Sequence, residues 1–291
     1  MDKIKELIIE KRPKLSKQSV TTYNSILKNL YVNVFGEDYD AKNFEDSDKI
    51  LEYLKNLEPN KRKTVLSALV VVTSNKAYRD QMLKDIESFN KSNSLQEKTP
   101  DQEKSWVSDN DVNMLYMDLQ KQAMALYRKP NLTMPDLQEI QNFIILCLLG
   151  GVYLPPRRSK DFVDFKIKKI DKTVDNYIEK KTLVFNSYKT AKTYGQAVIE
   201  CPPDLMKIIK KWVKVNPTDY LLFDSNGNAL SNVKLNQRIN KIFGKKVSVN
   251  QLRHTYLTGK YGDLIEKNKA MKKDFAEMGS SAAQFETYVK R

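Results

Sequence analysis

Apolar residues recur every three to four positions through the first part of the chain, a spacing that predicts an all-helical region. The predicted helices are Ile4–Glu10, Gln18–Leu30, Lys49–Leu57, Lys61–Ser74 and Tyr78–Asn90, with Ser16 and Asp46 as caps near two of the starts. The period then disappears. KSNSLQEKTPDQEKSW, from about residue 91 to 106, is polar, carries Pro100 and reads as a connection between domains. The expected organisation is a helical domain over 1–95, a linker over 96–106 and a second domain over 107–291.

The second domain mixes periods. NFIILCLLGGVYL (142–154) predicts a buried helix broken at Gly150 and Gly151. FVDFKI (162–167), TLVFNS (182–187) and QAVIEC (196–201) predict short strands, with TYG (193–195) as a hairpin turn between the last two. Helices are expected over Asp204–Val215 and Leu230–Phe243. Ser248 and Gln251 form an S-x-x-Q capping-box pattern, so another helix should start near Val249. A helix through Asp274–Met278 should stop at Gly279, and a last one should carry Gln284 to Lys290. The fold class is therefore mainly α with a small antiparallel sheet.

Composition adds little until charge is divided along the chain. Hydrophobic content of 41% and charged content of 30% are ordinary for a folded domain. No apolar stretch is long enough to span a bilayer, and the N-terminus lacks a secretory pattern. Cys147, Cys201 and a single histidine offer neither a disulfide framework nor a usual zinc site. An intracellular protein without metal or cofactor is expected. The net charge of +14 is one-sided: residues 1–150 hold 22 basic and 22 acidic residues, whereas 151–291 hold 28 and 14. A basic half of this kind suits a polyanion such as nucleic acid, although a solvated basic face has the same composition.

Four places carry candidate chemistry. LPPRRSKDF (154–162) presents Arg157 and Arg158 behind two prolines, and guanidinium forks bind phosphate bidentately. Lys189 lies in SYKTAKTYG, beside the expected hairpin turn, with Lys192 nearby. In VNQLRHTYL (249–257), Asn250 and Arg253 are three apart and share a helix face near its N-terminus, where an anion is favoured. His254, the sole histidine, is given a structural role. Tyr288 follows in MGSSAAQFETY. Together these residue types can perform phosphodiester transesterification. A tyrosine oxygen attacks phosphorus, arginines neutralise the non-bridging oxygens and a lysine protonates the leaving 5′-oxygen. In the first domain Lys61, Arg62 and Lys63 are candidate phosphate contacts.

In their order and context these boxes resemble those of the tyrosine recombinase (phage-integrase-like) superfamily, over roughly residues 106–291. Arg158 matches the first-box arginine, because Asp161, Phe162 and Phe165 then fall on acidic and apolar positions of that box; Arg157 is the alternative. Lys189 resembles the hairpin lysine, with Lys192 the alternative. LRHTYLT with Arg253 is similar to the second box, and Tyr288 to the terminal nucleophile. The PPRR form of the first box and LFDSNGNALS (222–231) look most like recombinases of large eukaryotic DNA viruses and related mobile elements. Two family histidines are replaced, one by Asn250 and one by Ser280. Both can donate a hydrogen bond to phosphate, but Asn cannot take up a proton as imidazole does.

The resemblance implies a DNA strand-exchange enzyme acting through a 3′-phosphotyrosine bond, in the host nucleus or at a viral replication site. It implies a homotetramer on double-stranded DNA, with no membrane involved. Residues 1–95 would be a helical (SAM-like) core-binding DNA clamp. A type IB topoisomerase and a DNA-binding relative that has lost catalysis are the competing readings.

Overall fold

The computed structural model describes residues 2–95 and 97–289. They form two compact units, Met1–Lys98 and Thr99–Arg291. No helix among the described residues is long and apolar enough to cross a membrane.

The first unit is helical throughout, as the apolar period predicts. It consists of α1 (Asp2–Lys11), α2 (Lys17–Phe35), a 3-10 turn at Ala41–Glu45, α3 (Ser47–Leu54), α4 (Pro59–Val72) and α5 (Lys76–Ser94). Ser16 caps α2 by accepting from the Ser19 amide, and Asp46 caps α3 from the Lys49 amide. Ile8, Leu27, Ile50, Leu66 and Leu69 meet in one buried cluster, and the Tyr78 hydroxyl donates to the Phe44 carbonyl at 2.8 Å.

The polar stretch expected to be an irregular linker contains α6 (Pro100–Ser105). Thr99 and Gln102 close a reciprocal capping box with Pro100 in the first turn, and this local signal sufficed for a short helix without any apolar period. The second unit continues with α7 (Asp109–Leu126) and α8 (Met134–Leu149), both opened by capping boxes, at Ser108 and Thr133. From Ile140 to Leu149 every residue of α8 is buried, so it is the central helix of this unit. Its buried polar side chain at Gln141 is satisfied by the backbone of Phe223: Nε2 donates to the carbonyl at 2.9 Å and Oε1 accepts from the amide at 2.8 Å.

The helix ends as the glycine pair predicts. Gly150 caps it, and Gly151 has φ +86 with its Cα flush against Tyr256, where a Cβ would lie 2.7 Å from ring atom Cδ2. The expected strand at 162–167 is instead α9 (Lys160–Val163), followed by isolated bridges from Lys166 to Tyr177 and to Tyr220. Phe162, Val163 and Phe165 are all buried, so the segment has no alternating face to give to a sheet.

The sheet has order β1-β2-β3, all antiparallel, from β1 (Tyr177–Glu179), β2 (Thr182–Phe185) and β3 (Ala197–Glu200). The sequence reading omits β1. Its tight turn to β2 has Lys180 at φ +54, where Gly or Asn would have been the visible signal. The β2–β3 connection is a long loop with one helical turn, α10 (Ala191–Tyr194), rather than a tight hairpin. Gly195 takes φ +70 at its end.

Then follow α11 (Pro203–Val215), α12 (Asn232–Phe243), α13 (Val249–Tyr261) and α14 (Asp263–Glu277). Ser248 caps α13 from the Gln251 amide. The chain leaves α14 through Gly279 at φ +67, with the Ser280 amide bonded to the Phe275 carbonyl at 2.8 Å. A 3-10 turn at Ala282–Gln284 leads into α15 (Phe285–Tyr288). Lys290, the expected end of that helix, lies outside the described residues.

Candidate active site

The second unit gathers three arginines around one depression of about 340 Å³. Arg157 and Arg158 stand at the entry to α9, and Arg253 comes from α13. Asp161 of α9, and Tyr188 and Thr190 from the β2–β3 connection, complete the polar wall. Local structure explains the convergence. The prolines carry the chain away from α8, with Pro156 buried. Asn176 is itself buried, and its Nδ2 donates to the Asp161 carbonyl at 2.9 Å while its Oδ1 accepts from the amides of Asn186 and Ser187 at 2.8 Å. One side chain thus ties the arginine box to the loop that carries Lys189. On the other side, α13 is fixed by Thr255, whose hydroxyl donates to the Val107 carbonyl at 2.7 Å, and by Tyr256 against Gly151.

The arginines are held differently. Arg157 is mostly covered: Nε donates to Asp161 Oδ2 at 2.8 Å, and its guanidinium lies 4.2 Å from the Phe185 ring centre. Its guanidinium is therefore engaged internally, in competition with the DNA-contact role expected of it from sequence. Arg158 is exposed, and among the described residues its carbonyl accepts from the Asp161 amide at 3.0 Å while its guanidinium makes no hydrogen bond. Arg253 donates to Asn250 Oδ1 at 3.4 Å. Asp161 is buried, and its Oδ1 has no hydrogen-bond partner. Burial pushes its carboxyl above the ordinary aspartate value, opposed by the positive charges of Arg157, Arg158 and Arg253. A single carboxylate faces three guanidinium groups, so the depression keeps a positive excess suited to an anion.

Lys189 is exposed between the two wall residues Tyr188 and Thr190, and Lys192 is exposed on α10. Asn250 reaches the depression only through Arg253. Ser280 is half-buried after Gly279. Tyr288 is 56% exposed and packs edge-on against Phe275, with ring centres 5.9 Å apart. Neither Ser280 nor Tyr288 lines the arginine depression. The sequence reading used Asp161 only as a marker of register and missed Tyr188 and Thr190. The arginine-to-carboxylate spacing was visible, but nothing local marked the other two.

In the first unit, Lys61 is exposed near the start of α4. Arg62 is committed internally: it forks onto Asp85 at 2.8 and 2.6 Å and donates to the carbonyls of Lys55 and Leu57. Those bonds engage Nε, NH1 and NH2, which leaves little to offer a phosphate. Lys63 lies 3.4 Å from the centre of the Phe89 ring.

No family model matches the sequence, and no curated protein matches it. Among solved structures the chain is similar to a lambda integrase dimer bound to a COC′ core site, at 12% identity and TM-score 0.46, over 89% of this chain and 88% of that one. It is similar to a lambda integrase tetramer bound to a Holliday junction, at 11% identity and TM-score 0.45, over 90% and 69%. A third similarity is to the XerH site-specific recombinase bound to difH substrate, at 15% identity and TM-score 0.40, over 89% and 84%.

Proposed function

We propose that the chain is a tyrosine recombinase, cleaving and rejoining DNA through a covalent 3′-phosphotyrosine bond. The observation that carries this reading is the meeting of Arg158 and Arg253, far apart in sequence, at one positively charged depression beside the Lys189 loop. The Tyr288 oxygen attacks phosphorus as its hydroxyl proton passes to solvent, to which the side chain is exposed, the bond to the 5′-oxygen breaks, and Lys189 gives that oxygen a proton. Arg158 and Arg253 neutralise the non-bridging oxygens, where charge builds in the transition state, and Asn250 and Ser280 donate hydrogen bonds to them. Rejoining is the reverse displacement by a 5′-hydroxyl. Cationic side chains do the electrostatic work, so the step calls for no metal.

DNA is held by the basic second unit, including Lys192, and by the helical first unit, with Lys61 and Lys63 as phosphate contacts that set register. Strand exchange requires two duplexes, hence a tetramer of this chain, and an intracellular setting of viral or mobile-element type. A DNA-binding relative without catalysis is the second reading. It is favoured by Asn250 and Ser280 at the positions of the two family histidines and by Tyr288 lying outside the depression.

Trapping on nicked DNA from the ends of the encoding element, without divalent metal, separates the two. A protein–DNA adduct on a denaturing gel, absent in Tyr288→Phe, is the expected result. Tight binding with no adduct overturns catalysis in favour of the binder. Relaxation of supercoiled plasmid by a monomer would instead indicate a topoisomerase.

A further inference from the structure

We infer that His254 is a positioning residue for this cleavage, acting through the amide of Asn250; the inference rests on the recombinase reading above. The buried face of α13 is made by Val249, Gln251, Leu252 and Thr255. That leaves Asn250 and His254 exposed and Arg253 half-buried, at spacings of three and four. His254 Nε2 lies 3.2 Å from Asn250 Nδ2, and Asn250 Oδ1 lies 3.4 Å from Arg253 NH1.

Hydrogen-bond chemistry fixes the direction of this chain. A guanidinium can only donate, so the atom of Asn250 facing Arg253 is its oxygen. The other end of the amide is then a donor, and His254 Nε2 accepts from it, with the imidazole proton on Nδ1. Without His254 the exposed amide would be held in this orientation by Arg253 alone, at 3.4 Å. Turned over, it sets its N–H groups against the Arg253 donors and offers an oxygen where an anion should bind. With His254 accepting one N–H of Nδ2, the second remains available for a phosphate oxygen, and Arg253 keeps its acceptor. The imidazole thus supports the charge-stabilising pair without touching the reacting atoms.

The test is single-turnover adduct formation on nicked DNA, measured with DNA affinity for His254→Ala, His254→Gln, Asn250→Ala and the double alanine variant. His254→Ala should slow cleavage about tenfold, the rate equivalent of one net hydrogen bond lost from the transition state, with affinity unchanged. His254→Gln, whose side-chain oxygen can accept where Nε2 did, should recover most of the rate. In the Asn250→Ala background the His254 substitution should add nothing. An unchanged rate in His254→Ala, no recovery with glutamine, or equal losses in both backgrounds overturns the inference while leaving the recombinase reading intact. No adduct from the wild-type protein overturns both.

Discussion

Two arginine–aspartate pairs, one in each unit, use the same two residue types and do opposite things. Arg62 and Asp85 form a closed knot. The carboxylate is buried and held by a two-pronged arginine and by Gln81 Nε2 at 3.0 Å, and the arginine spends its remaining donors on carbonyls. The Asp85 charge, directly bonded, holds the Arg62 guanidinium above its usual pKa. Arg157 and Asp161 form an open pair. One hydrogen bond joins them, Asp161 Oδ1 is left without a partner, and two further arginines face the same depression. A fully satisfied ion pair is a strut, whereas a depression with surplus donors is a place for an anion to complete the network.

The largest effect that would break this comparison is on stability. Arg62→Ala leaves a buried charge uncompensated and should destabilise the first unit by about 3–5 kcal/mol. Urea unfolding checks this, and a stability near wild type would return Arg62 to the role of a free phosphate contact. Arg158→Ala should do the reverse, lowering cleavage by roughly 10²–10³-fold, as loss of a transition-state donor does, with the melting curve unmoved. Gly151→Ala forces a side chain into a left-handed backbone position and against Tyr256. It should cost about 1–3 kcal/mol of stability and reduce cleavage by shifting α13.

The smallest effect is a pH dependence. Because the Asp161 carboxyl is raised in the folded protein, its contribution to stability is present below the ordinary aspartate value and is lost as pH rises through the elevated one. The stability of wild type minus that of Asp161→Asn should therefore fall from acid towards neutral pH in parallel denaturation curves. A difference that rises instead would mean that the arginines outweigh burial.

Most of the helical architecture was legible because periodicity and caps act locally: Ser16, Asp46, Ser248 and Gly279 each mark an end that the structure reproduces. The misreadings have physical causes too. α9 contains two residues of the expected strand, Phe162 and Val163, because burial looks the same in a strand and in a single helical turn. β1 was hidden by a lysine in a left-handed turn position. α6 has no apolar period to reveal it, since it rests on the local capping box of Thr99 and Gln102 and buries none of its residues. At the site, the Arg-Arg box and Arg253 were readable as residue types. The register of Asp161, Phe162 and Phe165 favoured Arg158 by resemblance, but the covering of Arg157 could not be read, since its contacts with Asp161 and Phe185 depend on tertiary packing.

The central claim is that Arg158 and Arg253 exist to neutralise a phosphate charge. The most direct test replaces the scissile phosphate by an uncharged methylphosphonate and compares wild type with Arg158→Ala. With the charge removed, the arginine should become dispensable: the variant should be slowed by roughly 10²–10³-fold on phosphate yet form the Tyr288 adduct on methylphosphonate at close to the wild-type rate. If Arg158→Ala is equally impaired on both substrates, Arg158 does not act by neutralising that charge, and the account of the depression fails.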